Sequence, residues 1–168
     1  MKARTKAREL ALKALYAYEA GEDRAPAEVF DSLVVRSKLD KELKKFARGL
    51  FDKATGSLES IDSRISEIST NWPIDRITPI DRNILRISIA EFMAFPETPR
   101  EVLINEAVEL AKRYGAKNSP AFINGILDGY SSRSDSSGNN SSDRENSDSV
   151  KSDSVKSDSV NTESEKSN

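Results

Sequence analysis

Basic residues crowd the start of the chain. Lys2, Arg4, Lys6, Arg8 and Lys13 stand against one acid, Glu9, in the first thirteen positions. At 100° per residue on a helix, Lys2, Lys6 and Lys13 fall within about 40° of one another, beside Glu9 and Tyr16. Arg4 and Arg8 form a second row, one turn apart. Such a helix end attracts phosphates through charge and counterion release, and a base can stack on the tyrosine. A solvated helix face fits the same residues, and charge alone favours that reading.

Two further groups could recognise a ligand. Asp81-Arg82-Asn83-Ile84-Leu85-Arg86 opens a helix, with Asp81 in the first turn, where an acid favours the dipole. Arg86 lies one turn after Arg82; it suits either an RNA phosphate or an acid in a helix–helix seam. The second group runs from Gly115 to Phe122. Lys117, Asn118 and Ser119 precede a helix whose first N–H groups suit a phosphate. Phe122 fits a core position by its spacing, the usual place of such a phenylalanine, or a stacking position at the edge.

Other chemistry is excluded by composition. The chain has no cysteine and no histidine, which removes disulfides, the usual zinc sites and Cys or His nucleophile–base pairs. No carboxylate pair is marked by an apolar pocket, and no Gly-rich phosphate loop follows a strand. An enzyme, a metal site and a cofactor are not expected. Arg8, Glu9 and Lys13 interrupt any signal-peptide core, and no stretch has the apolar length of a bilayer span. A soluble cytoplasmic protein with no membrane partner is the expectation.

Helices must position these groups. Residues 3 to 20 carry an apolar stripe of Ala7, Leu10, Ala11, Ala14, Leu15 and Tyr18, ended by Gly21. Pro26 opens a short helix to residue 34. Asp40 caps the next, with Leu43, Phe46, Ala47, Leu50 and Phe51 as its stripe. Gly56 breaks the pattern and Ser57 restarts it through Ile61, Ile65 and Ile68, up to Trp72-Pro73. Thr78 caps a helix with Pro79 in its first turn, running to about Phe95. Two helices follow Pro99 and meet at Gly115, expected as a left-handed stop, with Asn118 or Ser119 capping the second. No segment alternates with the period of a strand, so the fold class is all-α, with about seven helices over residues 1–130.

Composition changes after Tyr130. The first part carries 21 Lys and Arg against 20 Asp and Glu, and residues 131–168 carry 5 against 8. The latter are Ser/Asp-rich, without an aromatic, and contain a pentapeptide repeat, Ser147-Asp148-Ser149-Val150-Lys151 and its two successors. Lone valines at period five build no core, so a disordered acidic tail is expected. It is read as a solvated extension; a shield over the basic surface is the functional alternative.

The actual residue strings say more than periodicity. Ile104-Asn105-Glu106-Ala107, Glu109-Leu110-Ala111-Lys112, Gly115 and Phe122-Ile123-Asn124-Gly125-Ile126-Leu127-Asp128 together resemble the C-terminal helices of the NusB family of transcription antitermination factors. Arg8-Glu9-Leu10-Ala11 through Ala14-Leu15-Tyr16, and Asp81 through Ser88, fit the same family in the same order. The resemblance covers residues 3 to 130. It implies two three-helix bundles packed across each other with an extra helix. It also implies binding, with the ribosomal protein NusE, to boxA of nascent ribosomal RNA leaders, and indirect association with other Nus factors and RNA polymerase. The site residues it favours are Lys2, Arg4, Lys6, Arg8, Lys13, Tyr16, Arg82, Arg86, Asn118 and Phe122 for RNA, and Asp81, Lys117, Asn118 and Phe122 for the partner. Two departures stand out: Thr5 and Ala7 break up the arginine run expected at the N-terminus, and Asn118 lies where many relatives carry an acid. A stand-alone relative of the RNA-targeting domain of RNA cytosine methyltransferases is an alternative, as is a helical homodimer.

Overall fold

The computed structural model describes residues 3–21 and 23–138. Among the described residues there are seven α-helices and no strand: α1 (Ala3–Ala20), α2 (Pro26–Val34), α3 (Lys41–Gly56), α4 (Leu58–Ile68), α5 (Pro79–Ala94), α6 (Arg100–Tyr114) and α7 (Ser119–Gly138), with one 3-10 turn at Ile74–Arg76 before α5. The local signals account for most of the boundaries. Asp40 accepts a hydrogen bond from Leu43 N at 2.9 Å, and Thr78 accepts one from Asp81 N at 3.2 Å, each covering an orphan N–H of a first turn. Pro26 and Pro79 sit where a missing N–H is harmless.

One bundle consists of α1, α2 and α3 and the other of α5, α6 and α7, with α4 lying against α5 and α7. Helix α5 is shared, since it packs on α1 and α3 as well as on α6 and α7. Every residue from Asn83 to Glu91 is therefore buried, and a helix enclosed on all sides cannot show one apolar stripe. The polar residues of that buried stretch find partners inside, whereas Asp81, just before it, keeps one buried carboxylate oxygen without a partner. Asn83 donates to Glu19 at 2.7 Å, Ser88 donates to the carbonyl of Ile84 at 2.8 Å, and Glu91 receives Arg8. The largest enclosed side chains, including Phe30, Phe51, Leu12, Leu15 and Ile84, form one continuous core across both bundles.

Two expectations need correction. Gly115 is extended, with φ −87° and ψ 179°, not left-handed. Glycine is required there by crowding: a Cβ would lie 2.6 Å from Ser119 Cβ and 2.8 Å from the carbonyl oxygen of Ala111. The last helix also continues eight residues past Tyr130, to Gly138. Ser131 is buried and Arg133 donates to the carbonyl of Glu67 on α4 at 3.2 Å. The extension thus packs on α4, although its composition looked like the start of a tail. The remainder of the expected disordered tail lies outside the described residues. No helix among the described residues is long and apolar enough to cross a membrane.

Candidate nucleic-acid interface

Helix α1 presents two different faces. Thr5, Arg8, Leu12 and Leu15 follow one another at helical spacing and all are buried. Arg8 is only 4% exposed. It donates to Glu91 at 2.6 and 2.7 Å and to Glu106 at 3.1 Å, while Thr5 donates to Glu106 at 2.5 Å. Burial works against the Arg8 charge, but hydrogen bonds and attraction from Glu91 and Glu106 outweigh it and raise its pKa above the usual value. Arg8, expected to face RNA, thus ties α1 to α5 and α6 with its guanidinium inside. Leu12 and Leu15, four and seven residues on, were the signal that this row points inward.

The other face of α1 is open. Lys6, Lys13 and Tyr16 are exposed, Tyr16 by 46%. Arg4 is exposed with its guanidinium 5.1 Å from the centre of the Phe46 ring. Lys2 lies outside the described residues. Glu9 fastens this face to the end of α6: it accepts from Lys13 at 2.8 Å, from Arg113 at 3.3 Å and from the Tyr114 hydroxyl. Burial pushes the Glu9 carboxyl up, yet the hydrogen bonds from Lys13 and Tyr114 prevail and hold it below the usual range. The Lys13 Nζ lies 5.8 Å from the centre of the Tyr114 ring. The basic stripe of α1 therefore borders the residue that leads into the α6–α7 loop.

At the start of α5 the two arginines are also engaged. Arg86, 8% exposed, donates to Asp62 at 2.6 and 2.7 Å and to Glu19 at 3.1 Å. Burial opposes its charge, but Asp62 and Glu19 raise its pKa. Of the two readings open for Arg86, the seam ion pair is the one present. Arg82, half-buried, pairs with the same Glu19. Glu19 of α1 reaches across to the α5 start and pairs with both arginines, while Asp62 holds Arg86 from α4.

The α6–α7 loop gathers a cleft of about 290 Å³. Asp81, Asn118 and Phe122 meet there, joined by Trp72 and Arg76, which sequence reasoning had not assigned. Trp72 is 50% exposed and Phe122 half-buried, so two aromatic side chains line one cleft that opens to solvent. Lys117, Asn118 and Arg76 are exposed, and Arg76 makes no ion pair among the described residues. Asp81 is 7% exposed. Its Oδ2 accepts from Ser119 Oγ at 2.8 Å, and Ser119 Oγ in turn accepts from Ala116 N at 2.9 Å. Asp81 thereby shapes the loop from behind, and its side chain is not offered to a partner. Ser119 does not cap α7 forwards; the carbonyl of Asn118 takes the first bond of that helix, from Phe122 N at 3.2 Å. The missed signal for Trp72 was that the chain's only tryptophan falls in a turn, before a proline, outside every helical stripe.

An aromatic-lined cleft next to unpaired cations can hold an unstacked base with its phosphate. Comparison with known proteins gives this geometry a context. The NusB family model matches residues 5–132. The transcription antitermination protein NusB of Koribacter versatilis is 40% identical over 133 residues, covering 79% of this chain and 91% of that protein. That of Sorangium cellulosum is 43% identical over 128 residues, covering 76% and 91%. Among solved structures, T. maritima NusB superposes with a TM-score of 0.69 at 36% identity, covering 74% of this chain and 87% of the other. The antitermination factors NusB and NusE in complex with dsRNA give a chain with a TM-score of 0.71 at 28% identity, covering 79% and 98%. The chain belongs to the NusB family.

Proposed function

We propose that this protein is a transcription antitermination factor that binds boxA of nascent ribosomal RNA together with NusE and supports ribosomal RNA transcription. It works by recognition and assembly, without bond chemistry. The observation that carries the reading is the cleft in which Trp72 and Phe122 stand beside Arg76 and Asn118, with exposed Lys117 on the loop next to it in sequence. Single-stranded RNA is read by stacking unpaired bases on aromatic side chains while cations hold the backbone. Trp72 and Phe122 supply the stacking surface. Arg76 and Lys117 supply charge at the cleft, and Arg4, Lys6 and Lys13 supply it along α1. Tyr16 extends the same track, and Lys2, outside the described residues, stays a candidate on its sequence alone. Arg8, Arg82 and Arg86 serve it indirectly, by fixing α1 against α5 and α6.

Two further points support the reading. The relatives named above are antitermination proteins, and a structural neighbour holds NusB, NusE and RNA together. Asn118, in place of an acid, removes a repulsive charge from the edge of the cleft. The NusE surface is assigned to Lys117, Asn118 and Phe122, with Asp81 positioning their loop through Ser119. Other Nus factors and RNA polymerase are reached through that assembly in the cytoplasm. The test is to mix the purified chain with NusE and labelled boxA RNA and separate the products by size. A ternary species, lost when the boxA sequence is scrambled, is the expected result; RNA and protein eluting apart at micromolar concentration would refute the proposal.

A further inference from the structure

A groove of about 580 Å³ lies away from the aromatic cleft, between α1, the end of α2 and the start of α3. Leu33, Leu39 and Leu43, all half-buried, form its floor. Lys6, Arg36 and Lys38 form its rim; all three are exposed and none makes an ion pair among the described residues. The acids nearby are already used: Asp40 caps α3, and Glu9 is held by Lys13, Arg113 and Tyr114. The groove thus combines aliphatic surface with unneutralised positive charge. No aromatic side chain lines it, so it offers no stacking platform for a base. It suits an acidic segment that carries aliphatic side chains.

The chain itself contains such a segment three times. Asp148-Ser149-Val150, Asp153-Ser154-Val155 and Asp158-Ser159-Val160 each place an aspartate two residues before a valine. In an extended chain, residues i and i+2 share a face and residue i+1 points the other way. Aspartate and valine then face the same side, and Lys151 and Lys156, each directly after a valine, face away. The docking face is acidic and aliphatic although the repeat as a whole is nearly neutral. Reach is sufficient: 30 residues follow Gly138, and a random coil of that length spans roughly 30 Å root-mean-square, against a radius of gyration of about 14 Å for a folded domain of this size.

We propose that this groove is the docking site of the chain's own C-terminal repeat. One of Val150, Val155 and Val160 rests on the leucine floor, and the aspartate two residues earlier meets Lys6, Arg36 or Lys38. Period five puts successive valines on opposite faces of an extended chain, so one repeat docks at a time and the three registers exchange. Each contact is weak, and the tether makes it effective by holding the repeats at a local concentration on the order of millimolar. Lys6 belongs both to this rim and to the basic track of α1, so a docked repeat screens one end of that track.

Methyl NMR tests the proposal by comparing the full chain with a chain ending at Gly138, which keeps all seven helices. The methyls of Leu33, Leu39 and Leu43 are expected to shift between the two. A peptide of residues 147–160 added to the shorter chain should move them back towards their full-chain positions, saturating in the millimolar range, while the peptide with Val150, Val155 and Val160→Ser should not. In the full chain, Arg36→Glu with Lys38→Glu should return the methyls to the short-chain positions. Coincident spectra of the long and short chains would overturn the proposal, as would equal binding by the serine peptide. Shifts that grow with protein concentration would assign the groove to a second copy. Loss of boxA affinity in the short chain on Arg36→Glu with Lys38→Glu would assign it to RNA. Either result also overturns the proposal.

Discussion

Arg8 and Arg86 carry the same charge as Lys6, Lys13 and Lys117, yet the two sets lie in opposite environments. The arginines are buried and held by Glu91, Glu106, Asp62 and Glu19. The lysines are exposed, and Lys6 and Lys117 have no anionic partner among the described residues. A cation paired with two carboxylates adds little net charge to the surface potential, so a sequence rich in basic residues overstates the charge an RNA would meet. The difference also separates two kinds of damage. Removing a buried arginine strands carboxylates in the interior, whereas removing an exposed lysine changes only what the surface attracts.

The largest expected effect therefore belongs to Arg8. Arg8→Ala leaves Glu91 and Glu106 without their cation and should cost about 3–5 kcal/mol of stability, read by thermal or urea unfolding. Lys6→Ala should stay within about 0.5 kcal/mol of the parent. If the two variants melt alike, the contrast between the regions is wrong. Next come the aromatics of the cleft. Trp72→Ala and Phe122→Ala should each weaken boxA binding by about 1–3 kcal/mol. Phe122→Ala, at a half-buried site, should cost less stability than the roughly 3–5 kcal/mol of a fully enclosed phenylalanine. A full-sized loss of stability with unchanged affinity would place Phe122 in the core and out of the interface.

The acid response sharpens the comparison further. The Glu9 and Glu19 carboxyls are pushed up by burial but held below the usual range by their cationic and hydrogen-bonding partners. Their contribution is complete above the ordinary glutamate pKa of about 4.3 and is lost as pH falls through the lower folded value. Glu9→Gln with Glu19→Gln should reduce stability at pH 7 and lose less of it on acidification below about pH 4. An acid limb as steep as the parent's would show that these pairs contribute nothing. The smallest effect is expected from ending the chain at Gly138, which should change stability by less than about 0.5 kcal/mol, since every buried residue described precedes that point.

The helices were legible because their ends carry local chemistry: Asp40, Thr78, Pro26 and Pro79 mark boundaries without help from the fold. The surface was less legible. Arg8 and Arg86 look like interface residues in one dimension, because their partners lie 83, 98 and 24 residues away. Trp72 was passed over as a mere stop signal, since its meaning depends on Phe122, which only the packing of α7 brings alongside. Gly115 looks in sequence like a left-handed stop, but its backbone is extended, and what requires glycine there is the closeness of Ser119 and of the Ala111 carbonyl.

The central claim is that exposed cations and the Trp72–Phe122 cleft, rather than the buried arginines, bind RNA. The most direct measurement is the salt dependence of boxA binding, with NusE present, for the parent and for Lys6→Ala/Lys13→Ala/Lys117→Ala. Each lost phosphate contact on a single strand reduces the slope of log K against log salt by about 0.7. The account predicts a slope shallower by about 2 in the triple variant, with stability lowered by no more than the roughly 0.5 kcal/mol of the exposed Lys13–Glu9 pair. A slope and affinity equal to the parent's would contradict it.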